Sequence, residues 1–472
     1  MIKARHQPPA FTEAFLSNCS YHLWQGWMRK ADHILEDEQL VALTYDSLAR
    51  RHPQSRTRGR PGTPAEVVLR MLVLKHVRHW SFQVLEWEVR ANLVYRQFTR
   101  VGAGKVPDAK TLGRQAQALG PEVIQKLHVR LVDIARQNKI ATGRRLRVDT
   151  TVVETNIHYP TDSSLLGDGV RVLTRVMKKI TEVAGEAGTK LRDRSRSVKL
   201  RVVEIARASR SKSEQGQQRM KDLYGKLLEA SGRVAAQAQQ FAKQIADGVK
   251  RCADFNQQAA LEGMKKELET MLLRVKRVRR QGRERVFGGN THVEGKLLSM
   301  FEPTTEIIRR GKASKPTEFG KMIKVQEAEG QIITDYEVYQ KRPADSDLLA
   351  PAIEIHQQRF GRVPELVAAD AAFYSARGEK AAHELGVKHV SVPNRSTRSA
   401  ERRKLQKKRW FKKGQQWRTG CEGRISVLQR RHGLNRCRYK GDRGMKRWVG
   451  LGVIADNLIN IGRALAAKTD TA

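Results

Sequence analysis

From Ala65 to Phe98 apolar residues recur at intervals of three and four. In AEVVLRMLVLKHVRHWSFQVLEWEVRANLVYRQF, Val67, Leu69, Met71, Leu72, Leu74 and Val77 crowd one or two faces, the pattern of a helix packed into a core. Thr63 followed by Pro64 is a helix start with Pro at the first helical position. Ser81 is placed to cap a second helix through Val84, Leu85 and Val89, and Asp108 or Thr111 opens another through Leu112 and Leu119. Short helices with tight connections and many Arg and Lys residues fit a helix-turn-helix-type DNA-binding module; a plain helical bundle has the same pattern. One more amphipathic helix covers residues 122–138. The period then changes to two, and RRLRVDTTVVE, rich in Val and Thr, reads as a strand.

Residues 170–290 interrupt this alternation. They are dense in Lys, Arg, Gln, Ala and Glu and contain no proline. Spaced Leu, Val, Ala and Met over Leu223–Val249 and Ala259–Val278 predict long, exposed helices without a clean heptad. After residue 290 the pattern is α/β again. KMIKVQEAEGQIITDYEVYQ predicts a hairpin around Glu329-Gly330. A helix over Ser346–Phe360, a buried strand PELVAAD, a helix over Ser375–Leu385, a strand KHVSVP and helices around Gly420–Arg431 and Lys446–Ala467 follow. Four segments result: a helical N-terminal DNA-binding domain (1–140), a first strand and loop (141–169), a helical insertion (170–290) and the remainder of an α/β domain (291–472).

Charge changes the picture from a fold to a partner. Lys and Arg number 90 against 49 Asp and Glu, a formal net charge of +41. Such an excess recruits a polyanion, because Lys and Arg neutralise phosphates and release condensed counterions. Double-stranded DNA is the expected partner. A membrane is not, since no run of ~20 apolar residues is available to span one. Met1–Pro9 is polar, unlike a signal peptide. Cys19, Cys252, Cys421 and Cys437 form no C-x-x-C pair, which argues against a zinc ribbon and for a reducing, cytoplasmic compartment.

In so basic a chain the few acids carry information. Asp149 lies mid-strand between Val148 and Thr150, and Asp370 ends the apolar strand ELVAAD. A carboxylate there carries a desolvation cost unless it is paired or metal-bound, and strand C-termini in α/β sheets are where ligands bind. Asp149 and Asp370 on neighbouring strands would converge on a hard cation such as Mg²⁺. Between residues 401 and 450 there are three acids, Glu401, Glu422 and Asp442. Glu401 belongs to a charge run and Asp442 to a Gly-rich turn. Glu422 has the small neighbours Gly420, Cys421 and Gly423, with Ile425 and Leu428 to anchor its helix to the core. Asp335, Asp345 and Asp347 are expected as caps at element ends. The expected triad is Asp149, Asp370 and Glu422. It would hold two Mg²⁺ ions, with Mn²⁺ an alternative, for in-line displacement at phosphorus. Arg418, Arg424 and Arg430 are expected to contact DNA. His158 and Tyr159, just after the first acid, are either a DNA-contacting loop or a link into the insertion.

At these residues the chain resembles bacterial insertion-sequence transposases of the DDE type. The resemblance covers Gly59–Gly120, RLRVDTTVVETNIHYPTDSSLL, PTEFGKMIKV and LVAADAAFYS. It implies a ribonuclease-H-like catalytic core with a helical N-terminal domain and a long helical insertion between the first two core strands. It also implies binding of terminal inverted repeats, DNA strand cleavage and strand transfer, and a homodimer on DNA, because two ends must be joined. Many such transposases carry a Tyr-Arg-Glu-Lys signature with two, three and six residues between its members. Arg418 and Glu422 stand at the required spacing, while Gln415 and Gln429 occupy the Tyr and Lys positions. The resemblance leaves two other readings open: a nuclease of the same fold that does not join strands, and an inactive or domesticated DNA-binding protein.

Overall fold

The computed structural model describes residues 1–5, 21–58, 62–185, 187–211, 213–309 and 317–469. Cys19, His6–Pro9 of the polar N-terminal stretch, and Gly59–Pro61 of the basic turn lie outside them. The chain divides into two compact units, one of residues 1–156 with 307–472 and one of residues 157–306.

The first unit opens with helices α1 (Gly26–Ile34), α2 (Glu38–Ala49), α3 (Ala65–Val77), α4 (Phe82–Ala91), α5 (Leu93–Phe98), α6 (Ala109–Ala118) and α7 (Pro121–Gln137). Their starts follow local chemistry. Asp37, Ser81 and Asp108 accept the backbone N–H groups of Leu40, Val84 and Thr111, satisfying donors left open at a helix N-terminus. Pro64 itself stands at the N-cap of α3, so the helix begins one residue later than its Thr-Pro signal suggests. Every residue of α3 from Ala65 to His76 is buried, which explains why its apolar positions crowd more than one face.

The sheet comprises β1 (Arg145–Thr155), β2 (Glu306–Arg309), β3 (Thr317–Glu327), β4 (Ile333–Val338), β5 (Leu366–Ala368), β6 (His389–Ser391) and β7 (Arg436–Cys437). Its order is β2-β3-β1-β5-β6, with β4 also on β3 and β7 also on β1. β3 is antiparallel to β1 and β4, while β5 is parallel to β1 and to β6. The hairpin turns at Glu329-Gly330, as its sequence predicts. Gly330 has φ +66°, and a Cβ there would stand 2.6 Å from the Ile140 carbonyl oxygen, so both conformation and space call for glycine. The Glu329 carboxylate accepts the backbone N–H groups of Gly143 and Arg145 at 3.1 and 2.7 Å, which fixes the chain as it enters β1.

Side-chain alternation on β1 separates two cores. Leu146, Val148 and Val152 pack with Ile353 of α12 (Leu349–Phe360) and Ala382 of α13 (Ala376–Glu384). Val153 packs on the other face, with Leu428 of α15 (Arg409–Arg431) and Trp448 of α16 (Gly441–Thr469). The short α14 (Ala400–Lys407) precedes α15. By length and hydropathy α16 alone among the described helices could cross a membrane. Here Leu451, Ile454, Leu458 and Ile461 are buried in one cluster with Met28, Leu72 and Leu131. The N-terminal helices thus share a core with the C-terminal helix.

The second unit holds four helices, α8 (Asp162–Ala184), α9 (Ser195–Ala208), α10 (Glu214–Ala246) and α11 (Phe255–Val286). A capping box between Thr161 and Ser164 starts α8. Val170, Leu173, Leu227, Phe241, Leu268 and Val275 are core residues of this unit. Asp162 is buried and paired with Arg285 at 2.5 Å. Helical structure therefore begins at Asp162, ahead of the compositional change at residue 170, and two of the four helices, α8 and α9, lie outside the two segments picked out by periodicity.

Lys75 of α3 is enclosed by the rings of Phe82, Tyr439 and Trp448, its Nζ 4.7–5.2 Å from their centroids. Burial, then the Arg438 charge, lowers its pKa to about 7. Unfolded, the group titrates near 10.4, so between those values the unfolded chain binds more protons and stability rises with pH. Lys75→Met should remove a rise of roughly 2–3 kcal/mol between about pH 7 and pH 9. Urea melts at the two pH values test this, and an equal rise in the variant would refute it.

Candidate functional site

The odd-numbered residues of β1 face α15. Arg147 donates to the Trp417 carbonyl, the Arg418 guanidinium lies 3.9 Å from an Asp149 oxygen, and the Gln429 amide donates to the Thr151 hydroxyl at 3.1 Å. Close approach is possible because Gly420 has no side chain. A Cβ there would stand 2.1 Å from the Arg147 guanidinium. Cys421 is buried beside the strand, its thiol pushed well up first by burial and then by the Glu327 and Asp149 carboxylates. Gly423 has open space around its Cα, so it is not needed for this contact.

Asp149 and Asp370 are related by strand register. β1 and β5 are parallel with Arg147 opposite Ala368. Asp149 and Asp370 each lie two residues beyond this last paired position. Ala369 continues the pairing of β5 with β6, its N–H donating to the Ser391 carbonyl at 3.3 Å. Asp370 then turns the chain by accepting the Ala372 N–H at 3.0 Å. Glu422 reaches Asp149 through Arg418, which donates to Glu422 at 2.9 Å while facing Asp149. The Asp149 side chain is 13% exposed, whereas that of Glu422 is 59% exposed. The Arg418 guanidinium thus lies between Asp149 and Glu422, while Asp370 stands just past the C-terminal end of β5. Among the described residues no three His, Cys, Asp or Glu side chains stand close enough together to form a metal-binding group. Carboxylate oxygens are donors that suit a hard cation, and the positive group between Asp149 and Glu422 in this structure is the Arg418 guanidinium.

The other expected contacts divide. Arg424 is buried, donating to Asp456 at 2.8 Å and to Gln331, and lying 3.9 Å from Glu327. Its expected contact with DNA is corrected by this geometry, because it holds α15 to the sheet and to α16. Arg418 turns inward to carboxylates. Arg430 is exposed. His158 and Tyr159 belong to the second unit, where His158 lies 3.2 Å from the Ser164 hydroxyl and Tyr159 is exposed. Asp335 is no cap: it lies within β4, buried beside Lys324 at 3.4 Å. Asp345 accepts the Thr150 hydroxyl at 3.0 Å.

Further residues brace the site, and of these Arg147 and Glu327 were passed over by sequence reasoning. Arg147 forms a buried ion pair with Glu327 of β3. Burial lifts the Glu327 carboxyl above its usual range, opposed by Arg147 and Arg424. Arg147 precedes Asp149 by two residues, so strand alternation could have placed it on the same face; its partner on β3 had no such signal. Gln415 donates to the carbonyls of Ala369 and Ser391, tying the ends of β5 and β6 to α15.

Removing one partner of a buried ion pair leaves an uncompensated charge. Glu327→Ala should destabilise the protein by about 3–5 kcal/mol, read from urea melts. A loss under about 1 kcal/mol, the value of an exposed pair, would show that the network carries no such load.

Residues 27–117, which span α1 to α6, match the family described as Transposase domain (DUF772). Residues 377–461, which include Arg418 and Glu422 but neither Asp149 nor Asp370, match the family described as Transposase DDE domain. No curated protein and no solved structure matches the chain.

Proposed function

We propose, for a chain that belongs to the DDE transposases of insertion sequences, that Asp149, Asp370 and Glu422 form the catalytic centre of a ribonuclease-H-like core. The enzyme would bind the terminal inverted repeats of its element in the cytoplasm, at the nucleoid, cleave a strand at each end and join the exposed 3′-hydroxyl to target DNA. The observation that supports this reading is the parallel pairing of β1 and β5, whose last paired residues, Arg147 and Ala368, each stand two before an Asp, together with the Arg418 guanidinium between Asp149 and Glu422.

Bound divalent cations, Mg²⁺ or Mn²⁺, would supply positive charge to the attacking and leaving oxygens of an in-line displacement. Asp149 and Asp370 would hold them from two adjacent strands, and Glu422 would join once Arg418 releases it. Until then Arg418 offsets the repulsion between two carboxylates in a partly desolvated site. Once freed, the same guanidinium is placed to take a phosphate oxygen, for which its fork geometry is suited. Exposed Arg430, and His158 and Tyr159 of the second unit, would contact the DNA backbone. Two ends are joined in one event, so a homodimer on DNA is the expected working form.

Asp149→Asn, Asp370→Asn and Glu422→Gln should each lower Mg²⁺-dependent cleavage of an end-bearing duplex by at least about a hundredfold, while metal-free DNA binding persists. Cleavage left intact in Asp370→Asn and Glu422→Gln would overturn the assignment. Strand transfer is tested separately with a pre-nicked end. Arg418→Gln removes the competing internal cation. It should tighten Mn²⁺ binding in the absence of DNA, read by electron paramagnetic resonance, by about threefold or more. Unchanged or weaker binding would show that Arg418 does not occupy the cation position.

A further inference from the structure

We propose that the cavity beyond the C-terminal ends of β5 and β6 is a phosphate-binding subsite for the DNA strand that crosses Asp370. The inference rests on the transposase reading above and adds a site to it. The cavity has a volume of about 430 Å³. Three cations, Arg395, Arg403 and Lys412, border it with the amides of Asn394, Gln406 and Gln415, and no carboxylate lines it. Among the described residues none of these three cations forms an ion pair within 4.0 Å; Arg403 donates to the Arg398 carbonyl at 2.6 Å.

The neighbouring guanidinium behaves differently. Arg402 pairs with Glu379 at 2.5 Å and donates to the Val392 carbonyl at 2.6 Å. Gln406 accepts the Asn394 N–H at 2.7 Å. The wall is therefore held by its own hydrogen bonds, while three positive charges converge on the space without an internal counter-charge. Like charges gathered in this way cost energy unless an anion joins them. The chemistry they fit is phosphate, bound by charge-assisted hydrogen bonds.

Position identifies which phosphate. Gln415 lines the cavity and donates at 3.2 Å to the carbonyl of Ala369, the residue before Asp370. One side chain of the cavity wall thus bonds the residue that precedes a proposed catalytic carboxylate, at the strand ends where ligands of α/β proteins bind. A strand whose scissile phosphate meets Asp370 would lay adjacent phosphates across it. Such contacts set the register of the strand and carry no sequence information.

The test uses the full chain and a fluorescein-labelled duplex of arbitrary sequence, without divalent metal, over a series of salt concentrations. Arg395→Gln, Arg403→Gln and Lys412→Gln are combined. The control combines Lys404→Gln, Lys407→Gln and Lys413→Gln, exposed positions on the same two helices that do not line the cavity. Each lost phosphate contact lowers the slope of log affinity against log salt by about 0.9, so the cavity triple should lose about two to three units of slope and at least about tenfold in affinity. The control should lose less than about threefold at physiological salt, where screening confines each charge to its neighbourhood. Equal losses in the two triples, or an unchanged slope in the cavity triple, overturn the subsite. Wild-type protein without affinity for any duplex would instead overturn the transposase reading. All lining substitutions are at the surface, and thermal melts by circular dichroism verify that both triples fold.

Discussion

A buried ion network between β1, β3 and α15 is the constraint on which the site depends. Arg147 and Glu327 face each other across two antiparallel strands, and Arg424 brings the helix to the same carboxylate and on to Asp456. Charges removed from water are tolerated only when each meets an opposite charge in a well-defined place. The network therefore does more than hold layers together. It specifies the rotation and height of α15 relative to β1, and Arg418 and Glu422 ride on that helix while Asp149 stands two residues along the strand. Gly420 is part of the same device, because any side chain there would displace the guanidinium.

Two departures from the family signature acquire a physical meaning in this setting. Gln415 and Gln429 stand where Tyr and Lys are common. Gln415 ties the ends of β5 and β6, next to Asp370, and Gln429 holds Thr151, next to Asp149 in the pleat. Both amides brace the helix against the strands that carry the carboxylates. Between them Arg418 sets its guanidinium between Asp149 and Glu422. The helix thus brackets the site with neutral hydrogen bonds and places its charge at the centre.

The insertion leaves the sheet after β1 and rejoins it at β2, yet it buries its own Leu, Val, Met and Phe residues among four helices. A unit with its own core can be inserted into a chain without drawing on the core that closes the sheet. The converse holds for the N-terminal helices. Their buried faces include Leu451, Leu458 and Ile461 of the C-terminal helix, so sequence distance hides a single core.

Much of this was legible in the sequence. The period of two around Asp149, the apolar run ending at Asp370, the hairpin at Glu329-Gly330 and the Ser and Asp caps are local signals, and local backbone physics suffices to read them. Arg418 and Glu422 were legible through their spacing on one helix. The insertion's charge-rich composition was visible, though its first helix was not, since α8 begins before the composition changes. Three things were decided only by tertiary structure. The Glu327 carboxylate became the partner of Arg147, Arg424 became a buried tie and not a DNA contact, and Arg418 turned inward. Each depends on which element packs against which, and a charged side chain has no periodicity that announces its partner. The choice between a solvated and a buried cation is made by the carboxylates that the fold brings within reach, and those lie 180 residues from Arg147 and 32 from Arg424 along the chain.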